Sequence, residues 1–311
     1  MEQVVCDFCG EQSATTKYIL RDFYLGMSGE FNLVRCNRCG LLYLNPRPEW
    51  SELQFFYQNR YEPPTARKRI AALSWVPRYG LLRRCRAVLR YQRGGRLLDV
   101  GCGDGSFLRE MSCQGQWELY GVDPFVKSCP EMLDDKRIKT LYNDLMQGNF
   151  PDSFFDVVTW WDVLEHVPNP SASLYETYRI LKPGGWLFIQ TPDPDAWDAR
   201  LFGPYWMGFD APRHLYLFPR HLLVNRLGEL GFEIKRTMKF AGGTAVLFRS
   251  LSYWFGDRKR ENLQRLMGIM EDSPLVRVTT APLSFLMRRL GLVFSVLYIA
   301  QKPLQEPGRE S

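Results

Sequence analysis

The sequence predicts an α/β protein: an open, mostly parallel sheet with helices on both faces, preceded by a small N-terminal unit held by cysteines. Two observations carry this. The first is Arg96-Leu-Leu-Asp-Val-Gly-Cys-Gly-Asp-Gly-Ser-Phe-Leu108, where an apolar run containing an acid gives way to three alternating glycines and then to the apolar period of a helix. The second is a repeated spacing, Cys6-Asp-Phe-Cys9-Gly10 and Cys36-Asn-Arg-Cys39-Gly40.

Each cysteine pair offers two thiolates, and the following glycine lets the backbone fold back, so the two pairs together suit one tetrahedral zinc with no open position and a structural role. Redox or incidental cysteines are the alternative. The metal ligands are Cys6, Cys9, Cys36 and Cys39, in a zinc-ribbon-like unit over 1–45 with strands at Thr15–Leu20, Phe31–Arg35 and Leu41–Leu44. So short a unit buries little core, and metal binding supplies folding free energy. Cys85, Cys102, Cys113 and Cys129 show no paired spacing and read as buried thiols.

Asn45-Pro-Arg-Pro48 ends the ribbon, since proline disfavours continued pairing. A helical basic connector over 46–92 follows, with helices at Glu49–Gln58 and at Arg67–Tyr91, the latter interrupted near Pro77. The net charge of +6 is uneven: residues 60–96 hold eleven lysines and arginines, Arg83 and Arg84 among them, against Glu62 alone. Such a block steers a phosphate-bearing substrate, a membrane surface or RNA, or else is a solvated helix face.

Gly101, Gly103 and Gly105 let the chain turn sharply and approach a ligand closely. The spacing is G-x-G-x-G, with Ser106 where the dinucleotide fingerprint requires its third glycine. Tyr120-Gly-Val-Asp-Pro124 then gives a second strand ending in Asp123, at the roughly 20-residue distance where a carboxylate meets ribose hydroxyls.

With Phe155–Thr159, Val163-Leu-Glu-His-Val-Pro168 and the turn and strand Leu181-Lys-Pro-Gly-Gly-Trp-Leu-Phe-Ile189, the chain resembles the class I S-adenosylmethionine-dependent methyltransferases. The resemblance covers roughly 93–240, with a final strand at Phe294–Ala300, and implies a Rossmann-like sheet and S-adenosylmethionine as cofactor. It places Asp99, Gly101, Cys102, Gly103 and Gly105 at the methionine end, Asp123 and Pro124 at the ribose, and Asp144 and Leu145 near adenine. A solvated turn is the other reading of Asp144. At the end of the fourth strand, Trp160 is assigned to the cofactor and Trp161 to the acceptor, with core packing the alternative for either. Glu165 and His166 look characteristic of the family; His166 is placed on the acceptor side, and a capping or structural role is equally open.

Asp195–Phe218 is aromatic yet polar and follows the fifth strand, the place for an acceptor lid. A histidine there suits removal of an acceptor proton. His214 is the candidate base, with Asp210 and Arg213 positioning the acceptor; a turn histidine bonded to backbone is the alternative. Pro212-Arg-His-Leu215 resembles a segment of bacterial methyltransferases that carry N-terminal paired cysteines and act in sugar or surface-glycan modification. The expected domain runs over 93–303, with a helical insertion at 242–291 (helices at Ala245–Phe255, Lys259–Met270 and Pro282–Leu290) and a disordered tail at 304–311.

At 311 residues, 45% hydrophobic and 24% charged, the composition is that of a globular chain. The N-terminus has no basic start leading into an apolar stretch, so a reducing cytoplasm is expected. The longest apolar stretch, Leu290–Ala300, is shorter than the roughly 18 residues of a membrane span. With Leu286-Met-Arg-Arg-Leu290 before it, it reads as a core helix running into a buried strand; a surface-lying segment touching a membrane is the alternative. The expected function is methyl transfer to oxygen or carbon of a sugar, nucleotide-linked sugar or glycan precursor. An RNA methyltransferase gripping RNA through the ribbon and the arginines is the alternative. A nicotinamide oxidoreductase is disfavoured by the glycine spacing, and an inactive cofactor-binding partner completes the set.

Overall fold

The N-terminal segment forms three antiparallel strands, β1 (Ala14–Leu20), β2 (Phe31–Cys36) and β3 (Leu42–Leu44). The computed structural model describes residues 1–53, 75–125, 137–240, 242–292 and 294–304. Of the two connector helices, Trp50–Leu53 and α1 (Trp75–Leu89) fall within the described residues. Residues 54–74 of the connector, with Arg60, Arg67, Lys68 and Arg69, lie outside them, as do Cys129 and the tail from 305, while α1 ends at Leu89 rather than Tyr91.

The main sheet begins with β4 (Gly94–Val100), α2 (Ser106–Ser112), β5 (Gln116–Val122) and β6 (Ile138–Leu141). It continues through β7 (Phe155–Trp161), α3 (Pro170–Ile180) and β8 (Leu181–Pro192). After α4 (Trp197–Phe202) and the two-residue strand β9 (Tyr216–Leu217) come α5 (Arg220–Glu229), β10 (Glu233–Lys239) and, last, β11 (Ser295–Gln301). The spatial order is β10-β11-β8-β7-β4-β5-β6; β11 runs antiparallel to both neighbours, and the strands from β8 to β6 are parallel.

Parallel strands are covered on both faces, which is why β4, β7 and β8 read as nearly continuous apolar runs. Alternate side chains divide between two cores. Leu98, Val158, Trp160 and Ile189 face one, together with Leu33, Tyr43 and Leu44 of the small sheet. Leu97, Val157, Trp161 and Phe188 face the other, with Val88 of α1 and Leu108 of α2.

The cysteine unit is joined to this body by pairing. The small sheet has the order β1-β2-β3-β9, so its fourth strand comes from residues 216 and 217. Arg47 extends the joint, donating to Pro168 O at 2.7 Å and to the Tyr216 hydroxyl at 2.8 Å.

Four helices separate β10 from β11: α6 (Thr244–Asp257), α7 (Glu261–Asp272), α8 (Pro274–Thr279) and α9 (Ala281–Arg289). α6 lies against the segment after β8: Met207 N–H donates to Ser250 Oγ at 3.1 Å, and Tyr205 OH to Asp257 Oδ2 at 2.6 Å. Two sequence expectations change here. The stretch before the last strand is not a core helix: Leu283, Phe285, Leu286 and Leu290 are exposed, and among the described residues of α9 only Met287 is buried, because this helix meets the body along one edge. Cys113 is an exposed thiol, since it stands at the C-cap of the short α2 rather than on its buried face; Cys85 and Cys102 are buried.

Candidate active site

β4 ends in Asp99 and Val100, and the chain then turns through Gly101, Cys102 and Gly103 before α2 starts at the left-handed Gly105. Gly101 has φ +69°, and a Cβ there would stand 2.4 Å from a Val163 methyl, so backbone and packing both demand glycine. Gly103 differs: at φ +52° an added Cβ would meet nothing within 4 Å, so this backbone borders open space. Its N–H donates to Asp123 Oδ2 at 3.0 Å, and Phe125 N–H donates to Asp123 Oδ1 at 2.7 Å. Asp123 therefore bridges the loops after β4 and β5. Burial raises its pKa, opposed by these two N–H donors.

Asp99 is buried beneath the loop and accepts from Thr159 Oγ1 at 2.7 Å. Burial pushes it up to about 7 despite that bond. Cys102 is buried and Pro124 is exposed. Asp144 is exposed and accepts from Gln147 N–H at 2.9 Å, capping a single 3₁₀ turn, while Leu145 beside it is core. The tryptophans ending β7 point to opposite faces and both are buried. Trp161 packs edge-on to Phe107 and stacks on Phe240, with the Arg84 guanidinium over its ring.

Beyond β7, Asp162 is held at φ +57° by Arg84 Nη2 at 2.6 Å and Gln190 Nε2 at 2.8 Å. Arg83 stacks on Phe240 and donates to its carbonyl. These two arginines of the basic block therefore serve the interior of the domain rather than a solvated face.

Glu165 is completely buried and faces the buried Thr191 hydroxyl, but neither carboxyl oxygen closes a hydrogen bond with it or with any other group. Burial, and then the charge of Asp162, raise its pKa well above the carboxylate range. His166 follows, its Nδ1 3.0 Å from Arg213 O; His214 approaches from the other segment with Nδ1 2.8 Å from Gly208 O. A carbonyl only accepts, so in both rings Nδ1 carries the proton and Nε2 the lone pair. The rings meet edge to face at 4.5 Å. Burial lowers both pKa values, that of His166 to about 3, leaving the pair neutral at ordinary pH. One ligand atom from each of Glu165, His166 and His214 lies within 4.8 Å of the other two.

Arg213 occupies a different position from the acceptor-facing one assigned to it. Its guanidinium is wholly buried between two carboxylates, with Nη1 and Nη2 on Asp22 at 3.1 and 2.9 Å and Nε and Nη2 on Asp210 at 3.0 and 2.6 Å. Against its own burial, Asp210 is held below its ordinary pKa by Arg213. The pair thus shapes the loop carrying His214. Leu215 N–H donates to Glu165 O at 2.8 Å, locking that loop to the segment after β7.

At the far end of the small sheet the four cysteine sulfurs converge, Cys6 to Cys39 and Cys9 to Cys36 each at 3.5 Å. Sulfurs on one zinc at about 2.3 Å are roughly 3.8 Å apart, and a disulfide is about 2.05 Å long, so this set has the dimensions of a metal site. Burial pushes Cys39 up to about 11; at Cys36 the N–H groups of Cys39 and Arg38 outweigh burial and bring the thiol down to about 7.

Nothing in the sequence marks Asp22, a lone acid in a turn between strands. Nor does it set Glu165 above a loop cap, because an acid beside a histidine carries no mark of burial.

Residues 74–237 match the family described as the methyltransferase domain. The ubiquinone biosynthesis O-methyltransferase of Pseudomonas entomophila is 31% identical over 155 residues, covering 46% of this chain and 66% of that protein. That of Pseudomonas aeruginosa is 30% identical with the same coverage, so the chain spans just under two thirds of the curated relatives it matches. A solved S-adenosylmethionine-dependent methyltransferase from Mesorhizobium loti has 17% identity and a TM-score of 0.48, covering 71% of this chain and 97% of that one. No helix among the described residues is long and apolar enough to cross a membrane. The family match spans more than half of the sequence and includes the β4 loop, Asp123 and the Glu165-His166 segment: the chain belongs to the S-adenosylmethionine-dependent methyltransferases of the class I, Rossmann-like fold.

Proposed function

We propose that the protein methylates an oxygen or carbon atom of a small acceptor: a sugar, a nucleotide-linked sugar or a glycan precursor. The observation that carries this is the pair of neutral imidazoles, each fixed by an Nδ1 bond to a backbone carbonyl, beside the segment whose Val163 packs on the glycine loop. S-adenosylmethionine supplies an electrophilic methyl group on a sulfonium. The chain's own work is alignment and proton handling. Asp99, Gly101, Cys102 and Gly103 border the methionine end, Asp123 and Pro124 the ribose, and Asp144 and Leu145 the adenine. Trp160 buttresses that loop from within the core.

His214 takes the acceptor's proton on Nε2, and Gly208 O holds the ring's orientation while the imidazolium forms. Asp210 and Arg213 fix the loop, and His166 lines the same space. Cys6, Cys9, Cys36 and Cys39 would hold a structural zinc that steadies the small sheet, whose β3 pairs with β9 directly after the His214 loop. The relatives are named O-methyltransferases, in keeping with a hydroxyl acceptor. The RNA reading loses Arg83 and Arg84 to interior contacts.

The test is turnover with methyl-labelled S-adenosylmethionine across nucleotide-linked sugars. His214→Asn should lower kcat about a hundredfold or more with cofactor affinity intact. Label moving to RNA but to no sugar would overturn the acceptor class.

A further inference from the structure

We propose that Glu165, His166 and His214 form a second metal site, taking a divalent transition ion such as Zn²⁺, Mn²⁺ or Fe²⁺ beside the acceptor. This rests on the methyl-transfer reading and refines one part of it: the lone pair given to proton removal becomes a ligand, and the ion acidifies the acceptor hydroxyl.

The donor set is two imidazoles and one carboxylate, with one ligand atom of each within 4.8 Å of the other two. Imidazole nitrogen with a single carboxylate suits borderline ions such as these; magnesium and calcium favour all-oxygen sets. Three protein ligands leave positions open, the pattern of a metal that works on a bound oxygen rather than one that only holds a fold. Each ring donates Nδ1–H to a carbonyl, of Arg213 and of Gly208, which fixes the tautomer that leaves the lone pair on Nε2, the tautomer that metal-ligating histidines use.

Glu165 is the independent observation. A fully buried carboxyl with neither oxygen bonded is costly, by about 1–3 kcal/mol for an unsatisfied group, and native structures rarely tolerate one. No guanidinium is paired with it: Arg84 serves Asp162, and Arg213 is shared by Asp22 and Asp210. A divalent ion at Glu165 would favour the ionised carboxylate there and give its oxygens a partner. Ligands on one ion at about 2.1 Å are roughly 3 to 3.5 Å apart, so side-chain adjustment of about an ångström closes the set.

The experiment uses the full chain as purified, treated with a mild chelator that spares tightly held zinc, then titrated with Co²⁺ while visible absorption is recorded. The expected result is one equivalent taken up with d–d bands and no thiolate-to-cobalt charge transfer, which separates it from the cysteine site. Glu165→Gln and His214→Gln should each weaken that uptake tenfold or more, while Cys36→Ser should not abolish it. No uptake by the unaltered chain, or uptake unchanged in both variants, overturns the proposal. S-adenosylmethionine binding is measured calorimetrically on the same samples. Cofactor binding and turnover without cobalt uptake would remove the ion and leave methyl transfer standing; cobalt uptake without cofactor binding would do the reverse.

Discussion

Arg213 grips Asp22 across 191 residues of sequence, through Nη1 at 3.1 Å and Nη2 at 2.9 Å, with both side chains wholly buried. The contact ties the cysteine unit to the loop of His214, because Arg213 is also bound to Asp210 three residues before it. Removing one partner of a buried ion pair strands a charge at a cost of about 3–5 kcal/mol, although Asp210 would recover part of this. Asp22→Asn should lower the Tm and raise the acceptor KM, with cofactor affinity unchanged by calorimetry. An unaltered Tm would mean that the clamp contributes nothing.

The four converging cysteines predict a bound zinc, and Cys36→Ser should then abolish its binding and lower the unfolding temperature, because metal binding supplies folding free energy to a unit with little core of its own. The effect should also reach the active site, since β3 pairs with β9 directly after the His214 loop. Metal analysis with thermal unfolding and kcat checks both. Purified protein without zinc, or a variant with unchanged kcat, would contradict it.

Asp99 couples stability to pH. Its folded pKa of about 7 lies above the unfolded value near ~3.9, so between these the unfolded chain loses a proton that the folded chain keeps. Stability is therefore lost as pH rises from about 4 to about 7 and levels off above. Asp99→Asn should raise the Tm at pH 8 by an amount that shrinks steadily toward pH 4. A gain independent of pH would mean that Asp99 stays ionised in the fold.

Much of the main sheet is legible in the sequence because parallel strands are apolar runs and their turns are marked by glycine. β4, β5, β7 and β8 announce themselves this way, as do the cysteine pairs. β9 does not: two residues in an aromatic stretch acquire strand character only because β3 presents an edge to them. The same holds for Arg213, whose charge suggests a ligand contact until Asp22, distant in sequence, appears beside it. Cys113 and α9 read as buried on composition alone, and only packing exposes them. At the site, residue types were readable and burial was not, which is why Glu165 gains weight only once its oxygens are seen without partners.

The central claim is that the loop of Gly101 and Gly103, bridged to Asp123, holds S-adenosylmethionine. Calorimetric titration of the full chain with that cofactor tests it most directly. The expected result is one molecule bound per chain, no binding of NAD, and an affinity falling about tenfold or more in Asp123→Ala, in line with the loss of a hydrogen bond to a charged group. Failure to bind S-adenosylmethionine, or an affinity untouched by that substitution, would contradict it.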